Sequence, residues 1–219
     1  MGIDPHLVPH WDAAALVTID IQVDFLSDGA FGVAGTAEIV PNLRRLTAAF
    51  RAAARPIVHV VRLYPRDGRE VDRVRRTVVE QGGAFVSPGT PGRLLAPGLA
   101  PEGAPDLDDE LLLAGRPQVL GPFEYALYKP RWGAFYRTPL SDLLGEWGVD
   151  TVVFAGCNLP NCPRASIVEA HERDFRVVLV TDAVSQRSEQ GFREVAGLGT
   201  VLAGTVETAA AIGATCGTL

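Results

Sequence analysis

The sequence predicts an α/β fold, a doubly wound three-layer sandwich with helices on both faces of a parallel sheet. Two observations carry this reading. Short β-branched and apolar runs recur along the chain, and most are followed by a stretch whose apolar residues fall at helical spacing. Strands that alternate with helices pair in parallel through right-handed crossovers. The length, 219 residues, suffices for one sizeable core, so a single domain over 1–219 is expected.

The elements follow in order. ALVTIDI (15–21) reads as a buried strand, and Ile39, Leu43, Leu46 and Phe50 mark one face of a helix over 37–54. PIVHVVRL (56–63) is the second strand, GREVDRVRRTVVEQ (68–81) a charged helix and YALYKP (125–130) a third strand. TPLSDLLGEWG (138–148) is a helix with Thr138 in the N-cap place and Gly148 at its end, followed by the strand DTVVFAG (150–156). PRASIVEAHERD (163–174) continues as helix, RVVLVTDA (176–183) as strand and SEQGFREVAGLG (188–199) as helix. TVLAGT (200–205) supplies a last short strand before a C-terminal helix. The segment 82–124 is rich in Gly, Pro and acids and too long for an ordinary connector. It reads as an excursion of the same domain, a lid or an oligomer contact. No internal repeat is present.

Composition narrows the function. Hydrophobic residues make up 47% and charged residues 21%, close to globular averages, which argues against disorder and a membrane protein. A net charge of -6 with scattered acids leaves no basic stripe for nucleic acid and no polybasic membrane anchor. MGIDPHLVPHW lacks the charged start and apolar run of a secretory signal, so cytoplasmic residence is expected. Three cysteines, an odd number, suit a reducing compartment better than a disulfide framework. No G-x-G-x-x-G follows the first strand and no P-loop occurs, which argues against a nucleotide-binding protein.

In open parallel sheets, ligands bind beyond the carboxyl ends of the strands. That rule picks out Asp20, Lys129 and the turn after Gly156, where FAGCNLPNCPRAS (154–166) places two cysteines. Cys162 falls in the first turn of a helix, where the dipole and a nearby lysine are expected to lower a thiol pKa. Cys157, one residue past Gly156, reads as a packing residue. The plainer alternatives stand beside these readings. A free cysteine is usually a small buried hydrophobe, Asp20 could brace a loop, a role for which Asp24 has the stronger claim, and Lys129 could lie over flanking rings. The histidines, His6, His10, His59 and His171, have no useful ligand spacing, so neither metal nor cofactor is expected.

Taken together, IDIQVDF, YKPRWGAFYRTPL and VVFAGCNLPNCPRASIVEAHERDFRVVLVTDAVS resemble the isochorismatase-like cysteine hydrolases, a group that includes nicotinamidases and N-carbamoylsarcosine and ureidoacrylate amidohydrolases. The resemblance runs from about residue 13 to about 206. It implies a six-stranded parallel sheet and a catalytic set carried over as Asp20, Lys129 and Cys162. It also implies a cis peptide between Cys157 and Asn158, with the backbone N–H groups of Asn158 and Cys162 binding an oxyanion. The chain departs from the common pattern at Leu159, where Thr is frequent, and at Pro163, where Val is frequent. It also lacks the metal-binding histidines of nicotinamidases after the second strand.

The implied reaction cleaves an amide, carbamoyl or lactam C–N bond of a small molecule through a thioester on Cys162. Phe25, Trp132, Phe135 and Tyr136 are candidates for pocket walls. Arg62, Arg131 and Arg164 are candidates for gripping a carboxylate or carbonyl oxygen, and Asn161 for a substrate contact or a turn. Vinyl-ether hydrolysis and a non-catalytic small-molecule binding protein on the same fold remain the alternatives; the retained Cys162 argues against the first and the intact trio against the second. Family members commonly assemble, so a homo-oligomer is expected.

Overall fold

The computed structural model describes residues 4–68 and 70–215. Its first strand, β1 (Ala14–Ile19), is buried along its whole length, as a central strand covered on both faces must be. The helix α1 (Thr36–Ala52) follows and buries Ile39, Leu43, Leu46 and Phe50 on one side. The chain continues through β2 (Ile57–Val61), α2 (Arg73–Glu80), α3 (Asp109–Leu113), β3 (Gln118–Gly121), β4 (Glu124–Tyr128) and α4 (Leu140–Glu146). Then come β5 (Thr151–Gly156), α5 (Cys162–His171), β6 (Arg176–Val184), α6 (Glu189–Ala196), β7 (Val201–Ala203) and α7 (Thr205–Ala214).

The seven strands form one sheet in the order β3-β4-β2-β1-β5-β6-β7. Neighbours run parallel except β3 and β4, which are antiparallel. The six parallel strands are those the sequence predicts. The seventh, β3, corrects the expected count and arises inside the 82–124 segment. There Gln118 and Leu120 are buried while Val119 is exposed, the alternation of an edge strand covered on one face. The run is short and flanked by Arg-Pro and Gly-Pro, so composition masks it. The same segment provides α3, whose Leu112 packs with Leu107 and Leu120 against Val61, Leu63 and Tyr128. Much of the excursion therefore extends the edge of the sheet.

Two layers of helix cover the sheet. α1 and α7 pack in the cluster containing Leu16, Val153 and Val178, whereas α4, α5 and α6 join the cluster containing Val17, Phe154 and Leu179. Strand alternation sends these successive residues to opposite faces. Full burial of side chains such as Phe50, Leu43 and Phe154 contributes about 1.5–3 kcal/mol each.

Two helix starts differ from expectation. α4 begins after Pro139, and the Thr138 hydroxyl donates to the Ala134 carbonyl at 2.6 Å. α2 starts at Arg73 with Asp72 at the N-cap position, yet the Asp72 carboxylate makes no cap bond because it faces Arg62 and Tyr64.

His59 is wholly buried in β2. Its Nδ1 lies 2.7 Å from the Thr18 hydroxyl and its Nε2 2.7 Å from Glu124, which is also gripped by Arg51 through two contacts of 2.7 Å. Both ring nitrogens are thus occupied in joining β1, β2 and β4 to α1. Burial alone would raise the Glu124 carboxyl, but the hydrogen bonds from Arg51 and His59 hold it below the usual range.

Candidate active site

The sheet changes direction at its centre. From β1 the chain moves to β2 on one side, and from β5 to β6 on the other, so the loops after β1 and β5 part and leave a crevice above their carboxyl ends. Strand register lines up the residues at this rim. Ile19 is level with Val60 and with Gly156, and Val61 with Tyr128. The next residues on these four strands are Asp20, Arg62, Lys129 and Cys157. Backbone bonds continue the alignment past the strand ends: Asp20 N–H donates to Val60 O, Lys129 N–H to Val61 O and Cys157 N–H to Ile19 O.

Asp20 has a positive φ of 53°, a left-handed conformation that aspartate tolerates better than most residues but that still needs support from its surroundings. Gly156 is required one strand away: its φ is 128°, and a Cβ there would stand 2.3 Å from the Ile19 carbonyl oxygen. The glycine lets β5 pass close against β1 just before the chain turns toward Cys162.

Lys129 is fully buried, and its Nζ donates to Asp20 Oδ2 at 2.8 Å and to the Arg131 carbonyl at 3.3 Å. The other carboxylate oxygen, Oδ1, is buried without a hydrogen-bond partner among the described residues. Arg62 connects this pair to the thiol. Its Nε lies 4.0 Å from Asp20 Oδ1 and one terminal nitrogen 3.9 Å from Cys162 Sγ, while the other terminal nitrogen donates to Asp72 Oδ2 at 2.7 Å. Tyr64 OH donates to the same Asp72 oxygen at 2.6 Å. Burial works against the Arg62 charge, yet the negative neighbours raise it above the ordinary guanidinium range. Burial likewise pushes the Tyr64 hydroxyl up, so that it remains a proton donor.

Cys162 opens α5 and is buried. Its thiol is raised above the ordinary value, first by burial and then by the Asp20 charge, with Lys129 and Arg62 pulling the other way. This reverses the expected lowering by the helix terminus and lysine: in the resting site desolvation and the carboxylate outweigh the cations. The thiol is therefore held toward its neutral form, beside Asp20. Cys157 is pushed up to about 12, mainly by burial, and is the less readily ionised kind of thiol expected of a packing residue.

The Cys157–Asn158 peptide bond is cis. Among the described residues, neither the Asn158 nor the Cys162 backbone N–H donates to a backbone carbonyl. The loop after Lys129 is joined to the helix bearing Cys162. Ser166 Oγ donates to Cys162 O at 2.7 Å and accepts from Ala134 N–H at 3.0 Å, and Glu169 accepts from Phe135 N–H at 2.8 Å. Gly133 makes this docking possible, since a Cβ there would lie 2.2 Å from the Glu169 carboxylate.

A narrow cavity of about 40 Å³ opens above these groups. Asp20, Arg62, Cys157, Asn158, Asn161 and Cys162 line it, together with Phe25, Phe31, Val33, Tyr64, Trp132 and Arg75. Four of the candidate pocket residues, Phe25, Trp132, Asn161 and Arg62, thus border the cavity. Four candidates do not. Phe135 is buried in the helix layer, where its ring stacks on Phe175 at 5.8 Å and lies under the Arg173 guanidinium, because its backbone is tied to Glu169. Arg164 points along the surface and pairs with Glu194 at 3.2 Å. Tyr136 and Arg131 lie outside as well, in a neighbouring surface groove with Trp132 and Glu169. Asp24 braces the loops, accepting from Val86 N–H at 2.6 Å.

Phe31, Tyr64, Asp72 and Arg75 carry no isolated sequence signal. The one trace is the dense run of charge in RDGREVDRVRR, which sets Asp72 ten residues after Arg62. Among the described residues, no group of three His, Cys, Asp or Glu side chains is placed to hold a metal ion, and no helix is long and apolar enough to cross a membrane.

Comparison with known proteins agrees with this architecture. Residues 14–210 match the isochorismatase domain. A probable inactive nicotinamidase of Arabidopsis thaliana is 32% identical over 183 residues, covering 82% of this chain and 84% of its own. The ureidoacrylate amidohydrolase RutB of a Methylorubrum extorquens strain is 27% identical over 197 residues, with 84% and 74% coverage. The crystal structure of an isochorismatase family protein from Desulfovibrio vulgaris superposes with a TM-score of 0.76 at 32% identity, covering 89% of this chain and 95% of that one. The chain belongs to the isochorismatase family.

Proposed function

We propose that the protein is a cysteine amidohydrolase that cleaves the C–N bond of a small amide, carbamoyl or ureido compound. The observation that carries this reading is Asp20 Oδ1, which accepts no hydrogen bond among the described residues and is buried beside Cys162, with Lys129 bound to the opposite oxygen. A neutral thiol, a carboxylate with one open lone pair and fixed cations are the parts needed to generate a thiolate only when substrate arrives. The likeness to a protein named ureidoacrylate amidohydrolase supports the same bond type.

In this mechanism Asp20 Oδ1 takes the thiol proton as Cys162 Sγ attacks the carbonyl carbon. Lys129 and Arg62 stabilise the charge that moves onto sulfur. The N–H groups of Asn158 and Cys162 receive the tetrahedral oxyanion; loss of one such donor typically costs about 2.7–4 kcal/mol of transition-state stabilisation. Asp20 returns its proton to the leaving nitrogen, ammonia or an amine departs, and water hydrolyses the thioester to a carboxylic acid. The narrow cavity suits a substrate of few heavy atoms.

The test is a panel of short primary amides, ureido acids, lactams and vinyl ethers, assayed for ammonia, amine or pyruvate with the native protein and Cys162→Ala. Amide turnover that depends on Cys162 is expected. Turnover that survives the substitution sinks the mechanism, pyruvate release alone favours the vinyl-ether reading, and binding without turnover favours a binding protein.

A further inference from the structure

Arg75 stands out among the cavity-lining charges because its side chain has no polar partner among the described residues. It projects from α2, half-buried, with its guanidinium carbon 4.5 Å from the centre of the Phe31 ring. Its guanidinium makes no hydrogen bond or ion pair within the described residues. The other charged groups at the site are matched: Lys129 with Asp20 at 2.8 Å, and Arg62 with Asp72 at 2.7 Å. The thiol is held toward its neutral form. One positive charge is left over, and it sits on Arg75.

Its surroundings make that surplus significant. Phe31 stacks on Phe85 at 4.2 Å, with Phe25 and Tyr64 edge-on to Phe85, so the wall beside Arg75 offers rings and no acid. A guanidinium lying over a ring keeps its edge donors available, and those donors match the two oxygens of a carboxylate. Arg62 is less suited to the task, since Asp72 and the Pro130 carbonyl already occupy it.

We propose that Arg75 anchors a carboxylate of the substrate, so that the molecule hydrolysed is a small amide or ureide bearing one negative charge apart from the scissile carbonyl. The inference rests on the amidohydrolase reading for its chemistry, but the anchor can be tested by binding alone. A monoanion would neutralise the surplus charge and orient the carbonyl toward Cys162.

The probe is a short dicarboxylic acid monoamide beside its neutral methyl ester. The native protein is expected to favour the acid in kcat/KM, and Arg75→Gln to reduce that preference roughly tenfold or more, chiefly through KM. Arg75→Lys should retain part of it. Arg73→Gln, which removes an exposed charge on the same helix outside the cavity, should leave the preference intact. An unchanged preference in Arg75→Gln, or an equal loss in Arg73→Gln, overturns the anchor. Calorimetry on Cys162→Ala provides the turnover-free arm: the monoamide should bind, and adding Arg75→Gln should weaken it by a similar factor. Binding through Arg75 without hydrolysis in the native protein would refute the hydrolase reading alone. Hydrolysis indifferent to Arg75 would refute the anchor alone.

Discussion

Lys129 Nζ and Asp20 Oδ2 stand 2.8 Å apart although the strands that bear them are not neighbours: β2 runs between β4 and β1. Two strand spacings amount to about 9–10 Å, a gap that a long lysine side chain can close when the strand ends are level. The pair is buried at both ends. Replacing Lys129 by Met strands a buried carboxylate and is expected to cost about 3–5 kcal/mol of stability, read as a lower urea midpoint. A midpoint unchanged from the native protein would show that the pair contributes nothing to folding.

Asp20→Asn separates thiol ionisation from catalysis. The Asp20 charge raises the Cys162 pKa while Lys129 and Arg62 lower it, so removing the carboxylate charge should lower it. Iodoacetamide should then alkylate Cys162 faster at neutral pH, even as amide turnover falls by about 10²–10⁴ through loss of the base. In the native protein, alkylation should accelerate only as pH climbs beyond the ordinary thiol range. Slower alkylation in the variant would contradict the assigned electrostatics.

Trp132 and Phe135 lie three residues apart and should fail differently. Trp132 borders the cavity, so Trp132→Ala is expected to raise KM. Phe135 is 4% exposed within the helix layer, and Phe135→Ala should destabilise the protein by about 3–5 kcal/mol. Steady-state kinetics and urea unfolding on the two variants distinguish a wall from a core residue.

Gly133→Ala would drive a Cβ into the Glu169 carboxylate and lift the loop from α5. The expected cost is about 1–3 kcal/mol, with reduced kcat/KM because the loop joins Lys129 to the Cys162 helix. Adding Glu169→Ala should recover part of the loss by removing the clash. A double variant worse than the sum of the singles would argue against this contact as the cause.

The Glu124 cluster should be visible in acid stability. Its carboxyl is held low in the fold, so its contribution is present above the unfolded value of about 4.3 and fades as pH falls through the lower folded value. Arg51→Met removes a partner, raises the folded value and should move the acid transition to higher pH. Circular dichroism during acid titration measures the shift; an unmoved transition means that Arg51 does not set it.

Six strands and the family were legible in the sequence because their signals are local. ALVTIDI and DTVVFAG are mostly apolar, as strands buried on both faces are, and Asp20, Lys129 and the Cys162 turn stand at or just beyond the ends of such runs. Asp24 could likewise be read as a brace. β3 was hidden by its few residues and by the Gly and Pro around it, since an edge strand is defined by the neighbour it pairs with.

What the chain determined alone was which six segments become the parallel strands and which side chains stand at their ends, because backbone period and turn chemistry act over a few residues. Tertiary structure alone decided that Phe135 turns into the core, that Arg164 meets Glu194, that Arg62 is committed to Asp72, and that the Cys162 thiol rises. Each of these depends on strand register, on burial and on charges brought together from distant positions, quantities that come into being only when the layers close.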